Sequence, residues 1–131
     1  EDNAGWADAT RQRLSRAEIH VVDYGTRLSD WRTLLGAPTR KLRLELPQSI
    51  QARTWDVVLV DGPAGWNPDQ PGRMKSIYQA SRLVGRGGAV FVHDCERDVE
   101  RIFSDSYLGD HRKFVEVAGR ALLPRLCVWR I

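Results

Sequence analysis

The most constraining feature of this chain is a short apolar run that ends abruptly at an acid, a glycine and a proline. Residues 57–60 are Val-Val-Leu-Val, and Asp61, Gly62 and Pro63 follow at once. Consecutive apolar and mostly β-branched residues predict a strand buried on both faces, as in a parallel sheet. Because open α/β sheets bind ligands beyond the carboxyl ends of their strands, Asp61 is a candidate site residue.

A second apolar run of the same design occurs thirty residues later. Residues 89–92 follow a glycine-rich stretch and end at His93 and Asp94. Apolar spacing from Arg73 onward predicts a helix between the two runs, which makes them a parallel strand–helix–strand unit. The ends of both strands then lie at one edge of the sheet, so Asp61, His93 and Asp94 are expected to face one crevice.

The rest of the chain alternates between helical and strand patterns. A helix is predicted over residues 3–16 with Asn3 as its cap, and a helix capped by Asp94 is predicted to end at Gly109. A short helix is expected between residue 28 and Gly36. Further strands are predicted at residues 19–24, 113–117 and 126–131, and residues 41–46 fit either a half-exposed strand or an insertion.

These elements predict one α/β domain over residues 1–131. The expected architecture is a Rossmann-like sheet, mostly parallel, with an antiparallel hairpin at its carboxyl-terminal edge. That arrangement resembles the later part of the methyltransferase fold, and the resemblance implies a first strand and a glycine-rich loop that have no counterpart in this sequence. Because a helix pattern begins almost at Glu1, we expect the chain to be a fragment of a longer protein.

Composition excludes several classes of protein. With 42% hydrophobic and 28% charged residues the chain is globular, and its lack of a long apolar run predicts no membrane contact by this segment. The net charge of +3 suits an anionic partner, whereas aromatic residues do not interleave with basic runs, so we expect no nucleic acid. Cys95 and Cys127 have no metal-ligand spacing and predict no disulfide framework; Cys95 is expected to fill space.

Three motifs, taken together, resemble those of the glucuronoxylan 4-O-methyltransferase family, which shares a domain with the irregular-xylem proteins. They are residues 60–66 (VDGPAGW), 71–74 (PGRM) and 93–100 (HDCERDVE). Residues 1–6 and 125–129 resemble the family's acidic pair and closing strand, so the resemblance runs over nearly the whole chain. Residues 33–53 match no motif of the family.

The resemblance implies a function and a location. It implies S-adenosylmethionine-dependent methylation of a sugar hydroxyl, typically O4 of glucuronic acid side chains on xylan, in the Golgi. The partner would be an acidic polysaccharide or oligosaccharide. The cofactor would be held by Glu1, Asp2, Asp61 and Gly62, with Glu1 accepting hydrogen bonds from the ribose.

The predicted catalytic residues are Asp61, His93 and Asp94. A sugar hydroxyl is a poor nucleophile and needs a base or a metal ion near it. An imidazole can take that proton near neutral pH, so His93 is one candidate base. Asp61 and Asp94 could orient it, act as bases themselves, or bind a divalent ion. The alternatives are structural: Asp61 ends a strand and Asp94 caps a helix.

The predicted substrate-binding residues are Trp66, Arg73 and Arg97. Either arginine could clamp a uronate carboxylate with paired N–H donors, and Trp66 could stack on a sugar ring or pack the loop. Glu100 fits a salt bridge as well as a site role. Two other functions stay open: a non-catalytic scaffold of xylan synthesis, and a small-molecule O-methyltransferase with an apolar acceptor pocket.

Overall fold

The protein is seen here as a computed structural model that describes residues 2–117, 120–121 and 125–131. Helices and strands alternate along it. The helices are α1 (Ala4–Arg13), α2 (Trp31–Leu35, preceded by a 3₁₀ turn at Leu28–Asp30), α3 (Gln48–Gln51), α4 (Met74–Leu83) and α5 (Asp98–Leu108), with a second 3₁₀ turn at Thr39–Leu42. The strands are β1 (Trp55–Val60), β2 (Val84–His93), β3 (Lys113–Phe114), β4 (Glu116–Val117), β5 (Arg120–Ala121) and β6 (Leu126–Arg130).

The main sheet has four strands in the order β1-β2-β6-β3. Strands β1 and β2 are parallel, with Val60 opposite Val92, and α4 connects them as predicted. Strand β6 runs antiparallel to both β2 and β3, which confirms the carboxyl-terminal hairpin. The described sheet is therefore mixed, with one parallel and two antiparallel pairings, and not mostly parallel.

One face of this sheet forms the core with α4 and α5. Val60, Val90 and Val92 pack there against Met74 and Phe103. The apolar spacing that predicts α4 corresponds to its buried face, since Met74, Ile77 and Tyr78 are all buried. Burial of these side chains stabilises the fold by about 1.5–3 kcal/mol for each large apolar group.

Strand β1 is buried on one face only. Val57 and Leu59 are 59% and 62% exposed, whereas Val60 is buried. Side chains alternate between the faces of a strand, and α4 and α5 cover the face that carries Val60. The prediction that this run is buried on both faces is therefore wrong for the described part of the chain.

One predicted strand does not form, and another is longer than expected. Residues 19–24 pair in no described ladder, and residues 41–46, for which a strand and an insertion were both open, form a 3₁₀ turn and an unpaired segment in which Leu42 and Leu44 are buried. Strand β2 begins at Val84, not at Ala89. Its glycines allow this, because a Cβ on Gly88 would lie 2.8 Å from the Asp56 carbonyl oxygen.

The ends of the helices follow local capping rules at α1 and α5. The Asn3 side chain accepts the Trp6 N–H at 3.1 Å, as predicted for an N-cap, although α1 ends at Arg13. Helix α5 ends at Gly109 with a φ of 89°, a conformation that glycine adopts without strain. Its N-cap position is occupied by Arg97, so the prediction that Asp94 caps this helix is wrong.

Cys95 and Cys127 form a disulfide, which the sequence analysis did not predict. Cys95 lies in the turn that follows β2, and Cys127 lies in β6, opposite Val92. The number of cysteines and their spacing in the sequence did not indicate the bond, because only the pairing of β2 with β6 brings the two residues together. The turn that carries Asp94 is thereby tied to the sheet.

None of the described helices is long and apolar enough to span a bilayer.

We expect Cys127→Ala to lower the free energy of unfolding by about 3–4 kcal/mol, because the bond joins residues separated by 32 positions and restricts the unfolded chain. Urea denaturation with and without a reductant would measure this. The reductant should destabilise the wild type by a similar amount and leave the variant unchanged. Equal midpoints for the oxidised and reduced wild type would contradict the prediction.

Candidate active site

The Arg73 guanidinium lies buried between the ends of β1 and β2. Its Nη1 donates to the His93 carbonyl oxygen at 2.9 Å, and its Nη2 donates to the Asp61 carbonyl oxygen at 3.2 Å. His93 is the last residue of β2, and Asp61 directly follows the last residue of β1. A single side chain from the start of α4 thus fixes the spacing of the two strand ends.

Asp94 neutralises this buried arginine. Its Oδ2 accepts from Arg73 Nη1 at 2.6 Å and lies 3.1 Å from Arg97 Nη2. Burial raises the pKa of the Asp94 carboxyl, but the hydrogen bond and charge of Arg73, with Arg97 beside it, hold it below its usual value. Asp94 is therefore an engaged anion, and its backbone adopts a φ of 56° in the turn.

His93 and Asp61 meet at the surface above this ion pair. Nδ1 of His93 lies 3.0 Å from Asp61 Oδ1 and 3.5 Å from Asp94 Oδ1. The His93 side chain is partly exposed and that of Asp61 is largely exposed. The three predicted catalytic residues therefore do converge, and the two that solvent reaches most easily are His93 and Asp61.

The segment between β1 and α4 folds back on itself beside these residues. The N–H of Gly72 donates to the Ala64 carbonyl oxygen at 2.9 Å, and Ser76 Oγ donates to that of Gly62 at 2.9 Å. A Cβ on Gly65 would lie 3.2 Å from the Gly72 Cα. This close backbone approach explains why glycine occupies positions 65 and 72.

The three predicted substrate residues have different environments. Trp66 is 72% exposed on the loop. Arg97 is partly exposed, with one arm on Asp94 and the other donating to the Gly65 carbonyl oxygen at 3.4 Å. Arg73 is only 4% exposed and its guanidinium is bound by protein groups, so the structure does not present it to a substrate, contrary to the proposed clamp.

Glu100 is a residue of this cluster that the sequence analysis did not assign to the site. It is 1% exposed, on the buried face of α5, and its Oε1 lies 4.0 Å from Arg73 Nη1. Burial raises the pKa of the Glu100 carboxyl, while Arg73 and Arg97 oppose that shift. The sequence offered one indication of this burial. Glu100 lies three positions before Phe103, and residues three apart share a helix face.

A cavity adjoins Asp61. It has a volume of about 470 Å³ and is lined in part by Asp2, Tyr24, Asp61, Gly62 and Ser76. Three of the four predicted cofactor-binding residues therefore share one cavity of a size typical for small-molecule ligands. Glu1, the fourth, lies outside the described residues.

The predicted metal alternative does not fit the arrangement of acids. Among the described residues there is no group of three or more His, Cys, Asp or Glu side chains placed to hold a metal ion. Of the two acids proposed as ligands, Asp94 has its Oδ2 within 3.1 Å of two guanidinium groups. These cations would compete directly with a divalent ion.

Comparison with known proteins places these residues in a family. Residues 38–123 match the model of the IRX15/IRX15L/GXM family. The chain is 35% identical to "Protein IRX15-LIKE" of Arabidopsis thaliana over 132 residues, covering 82% of this chain and 42% of that protein. It is 31% identical to "Glucuronoxylan 4-O-methyltransferase 2" of the same plant over 128 residues, covering 82% of this chain and 44% of the relative.

The name of a third relative refers to a different polysaccharide. The chain is 37% identical to "Arabinogalactan O-methyltransferase 1" of Arabidopsis thaliana over 144 residues, covering 92% of this chain and 49% of that protein. The chain thus spans less than half the length of each of these relatives. No solved structure matches the chain.

We expect Asp94→Asn to lower the free energy of unfolding at neutral pH by about 3–5 kcal/mol, because it leaves the buried Arg73 without its closest anion. The pKa of Asp94 is lowered in the folded state, so its stabilisation is complete above the unfolded-state pKa of about 3.9 and is lost as the pH falls through the folded-state value. Urea denaturation at a series of pH values would measure the difference between wild type and variant.

Asp98→Asn is the matched control for this prediction. Asp98 pairs with Arg101 at 2.9 Å on the exposed surface of α5, and such pairs contribute less than about 1 kcal/mol. An Asp94→Asn variant as stable as the control, at every pH, would contradict the assigned ion pair.

Proposed function

The chain belongs to the IRX15/IRX15L/GXM family, and we propose that it is the methyl-transferring part of an S-adenosylmethionine-dependent polysaccharide O-methyltransferase. The proposed acceptor is O4 of glucuronic acid side chains on xylan. The observation that supports the proposal most directly is the contact between His93 and Asp61. Nδ1 of His93 lies 3.0 Å from Oδ1 of Asp61, at the ends of two parallel strands and beside a cavity.

The proposed base is His93, oriented by Asp61. A sugar hydroxyl must lose its proton as the new C–O bond forms, and a general base near the oxygen contributes about 10²–10⁴-fold to such a step. Asp61 lies against Nδ1 of His93 and would stabilise the imidazolium once the proton is taken. Asp94 is held by two arginines, so its proposed role is electrostatic.

The proposed cofactor site is the cavity lined by Asp2, Asp61 and Gly62. When bound, S-adenosylmethionine supplies a methyl group on a sulfonium carbon, so the protein has mainly to align acceptor and donor and to exclude water. Carboxylates near the ribose would accept hydrogen bonds from its hydroxyl groups. Glu1 is proposed for the same role from the sequence alone.

The proposed acceptor contacts are Arg97 and Trp66, which lie on the exposed side of the loop. Arg97 keeps its place through Asp94 and the Gly65 carbonyl oxygen, and its exposed edge can receive a carboxylate. The Trp66 ring is largely exposed and can stack on a sugar. Arg73 is proposed to position the strand ends and not to touch the acceptor.

A Golgi location is part of the proposal and has one structural support. Disulfides persist in the oxidising compartments of the secretory pathway and are rare in the cytosol. The Cys95–Cys127 bond is compatible with that environment. A non-catalytic scaffold is the second candidate, because one relative is named "Protein IRX15-LIKE" without an activity.

We expect His93→Asn in the full-length protein to lower turnover by about 10²–10⁴-fold and to leave S-adenosylmethionine affinity nearly unchanged, because the residue is proposed to move a proton and not to hold the cofactor. Radiolabelled methyl transfer and calorimetric titration would measure the two quantities. His111→Asn is the control, since His111 is 96% exposed. Full activity of His93→Asn would remove His93 as the base.

We expect methyl transfer to glucuronate-substituted xylan oligomers and none to neutral xylan oligomers, because Arg97 would recognise the carboxylate. Arg97→Lys should raise the acceptor KM, since lysine lacks the paired donors of arginine. Arg101→Lys, on the exposed surface of α5, is the matched control. Equal transfer to both acceptors would exclude the carboxylate contact, and absence of both transfer and cofactor binding would favour the scaffold.

A further inference from the structure

Glu100 is a buried carboxylate directly beneath the candidate active site. It is fully enclosed between α5 and the loop, and its Oε1 would lie 3.6 Å from a Cβ on Gly65. That oxygen has no hydrogen-bond partner within the described residues. A buried ionised group without a full set of hydrogen bonds reduces stability, so ordinary packing does not explain a glutamate here.

The charged groups around Glu100 all belong to the site. Arg73 faces it from the start of α4, and Arg97 and Asp94 face it from the turn before α5. Asp94 lies between Arg73 and Arg97, and Asp61 Oδ1 lies 3.6 Å from Arg73 Nη2. Asp61 is largely exposed, whereas Glu100 adds a fully buried carboxylate to the contacts of Arg73.

The Arg73 guanidinium contacts several groups of the site at once. Its Nη1 already donates to the Asp94 carboxylate and to the His93 carbonyl oxygen. Glu100 Oε1 lies 4.0 Å from the same nitrogen, and Nη2 reaches the Asp61 carbonyl oxygen at 3.2 Å. Glu100 therefore contacts the guanidinium that links the carbonyl oxygens of Asp61 and His93.

We propose that Glu100 is a positioning residue for methyl transfer, which acts through Arg73 to hold His93 and Asp61 in their reactive arrangement. The inference rests on the proposed function of that site. It assigns to Glu100 an effect on turnover that is separate from any effect on stability, because its negative charge supports the site while its burial weakens the fold.

The test is Glu100→Gln in the full-length protein, with melting temperature and steady-state kinetics measured together. The raised pKa of Glu100 means that its ionisation opposes folding as the pH rises through the folded-state value. The neutral amide removes this cost, so the melting temperature at neutral pH should stay equal or rise. Turnover should fall roughly tenfold, with the KM for S-adenosylmethionine unchanged, because small misplacements of catalytic groups are costly.

Ser104→Ala is the matched control, since Ser104 is equally buried one turn along α5. It should change neither turnover nor KM by more than about twofold. If Glu100→Gln does not fold, Glu100→Met keeps a similar volume without a polar group and is measured in the same way. Turnover within twofold of wild type in a folded variant would overturn the proposal, as would equal loss in the serine control.

A double-mutant cycle separates this inference from the proposed function, because it needs no activity. Arg73→Gln leaves Asp94 and Glu100 as buried anions without their central cation, and the melting temperature should drop by roughly 10 °C. Adding Glu100→Gln to Arg73→Gln should raise the melting temperature by several degrees more than it does in the wild-type background, because Glu100 then has no Arg73 to pair with. An equal change in both backgrounds would show that Glu100 does not act through Arg73. Coupling in a protein that lacks methyl transfer would keep the Glu100–Arg73 contact and reject the proposed enzymatic function.

Discussion

The buried Arg73 guanidinium is the interaction on which the candidate site depends. It binds the carbonyl oxygens of Asp61 and His93, which end two adjacent parallel strands, and its charge is offset by Asp94. A buried charge with an incomplete set of partners would cost several kcal/mol. The positions of the loop, the turn and α5 are therefore coupled to one side chain at the start of α4.

The backbone around Arg73 is built to allow this burial. Gly65 and Gly72 approach so closely that a side chain on Gly65 would contact the Gly72 Cα, and Gly72 has a φ of 67°. On the opposite side, the Cys95–Cys127 disulfide ties the turn that carries Asp94 to the sheet. The loop and the turn are thus both held, with the Trp66 side chain exposed and that of Arg97 partly exposed.

The family relationship concerns the class of reaction, and the geometry of the site concerns the residues. Relatives named as glucuronoxylan and arabinogalactan O-methyltransferases indicate methyl transfer to polysaccharides in the family. The described residues add a histidine–aspartate pair, a neighbouring cavity and a partly exposed arginine. The chain spans less than half of each of these relatives.

The sequence by itself determined the strand–helix–strand unit of β1, α4 and β2, since apolar runs and helical spacing are local patterns, and it placed Asp61, His93 and Asp94 at one edge. Only the tertiary structure decided which side chains are enclosed. The sequence predicted Arg73 to contact a substrate and left Glu100 open between a salt bridge and a site role, and it predicted a strand at residues 19–24. These predictions could not be settled locally, because burial and strand pairing depend on contacts between distant segments. The Cys95–Cys127 bond likewise required the pairing of β2 with β6.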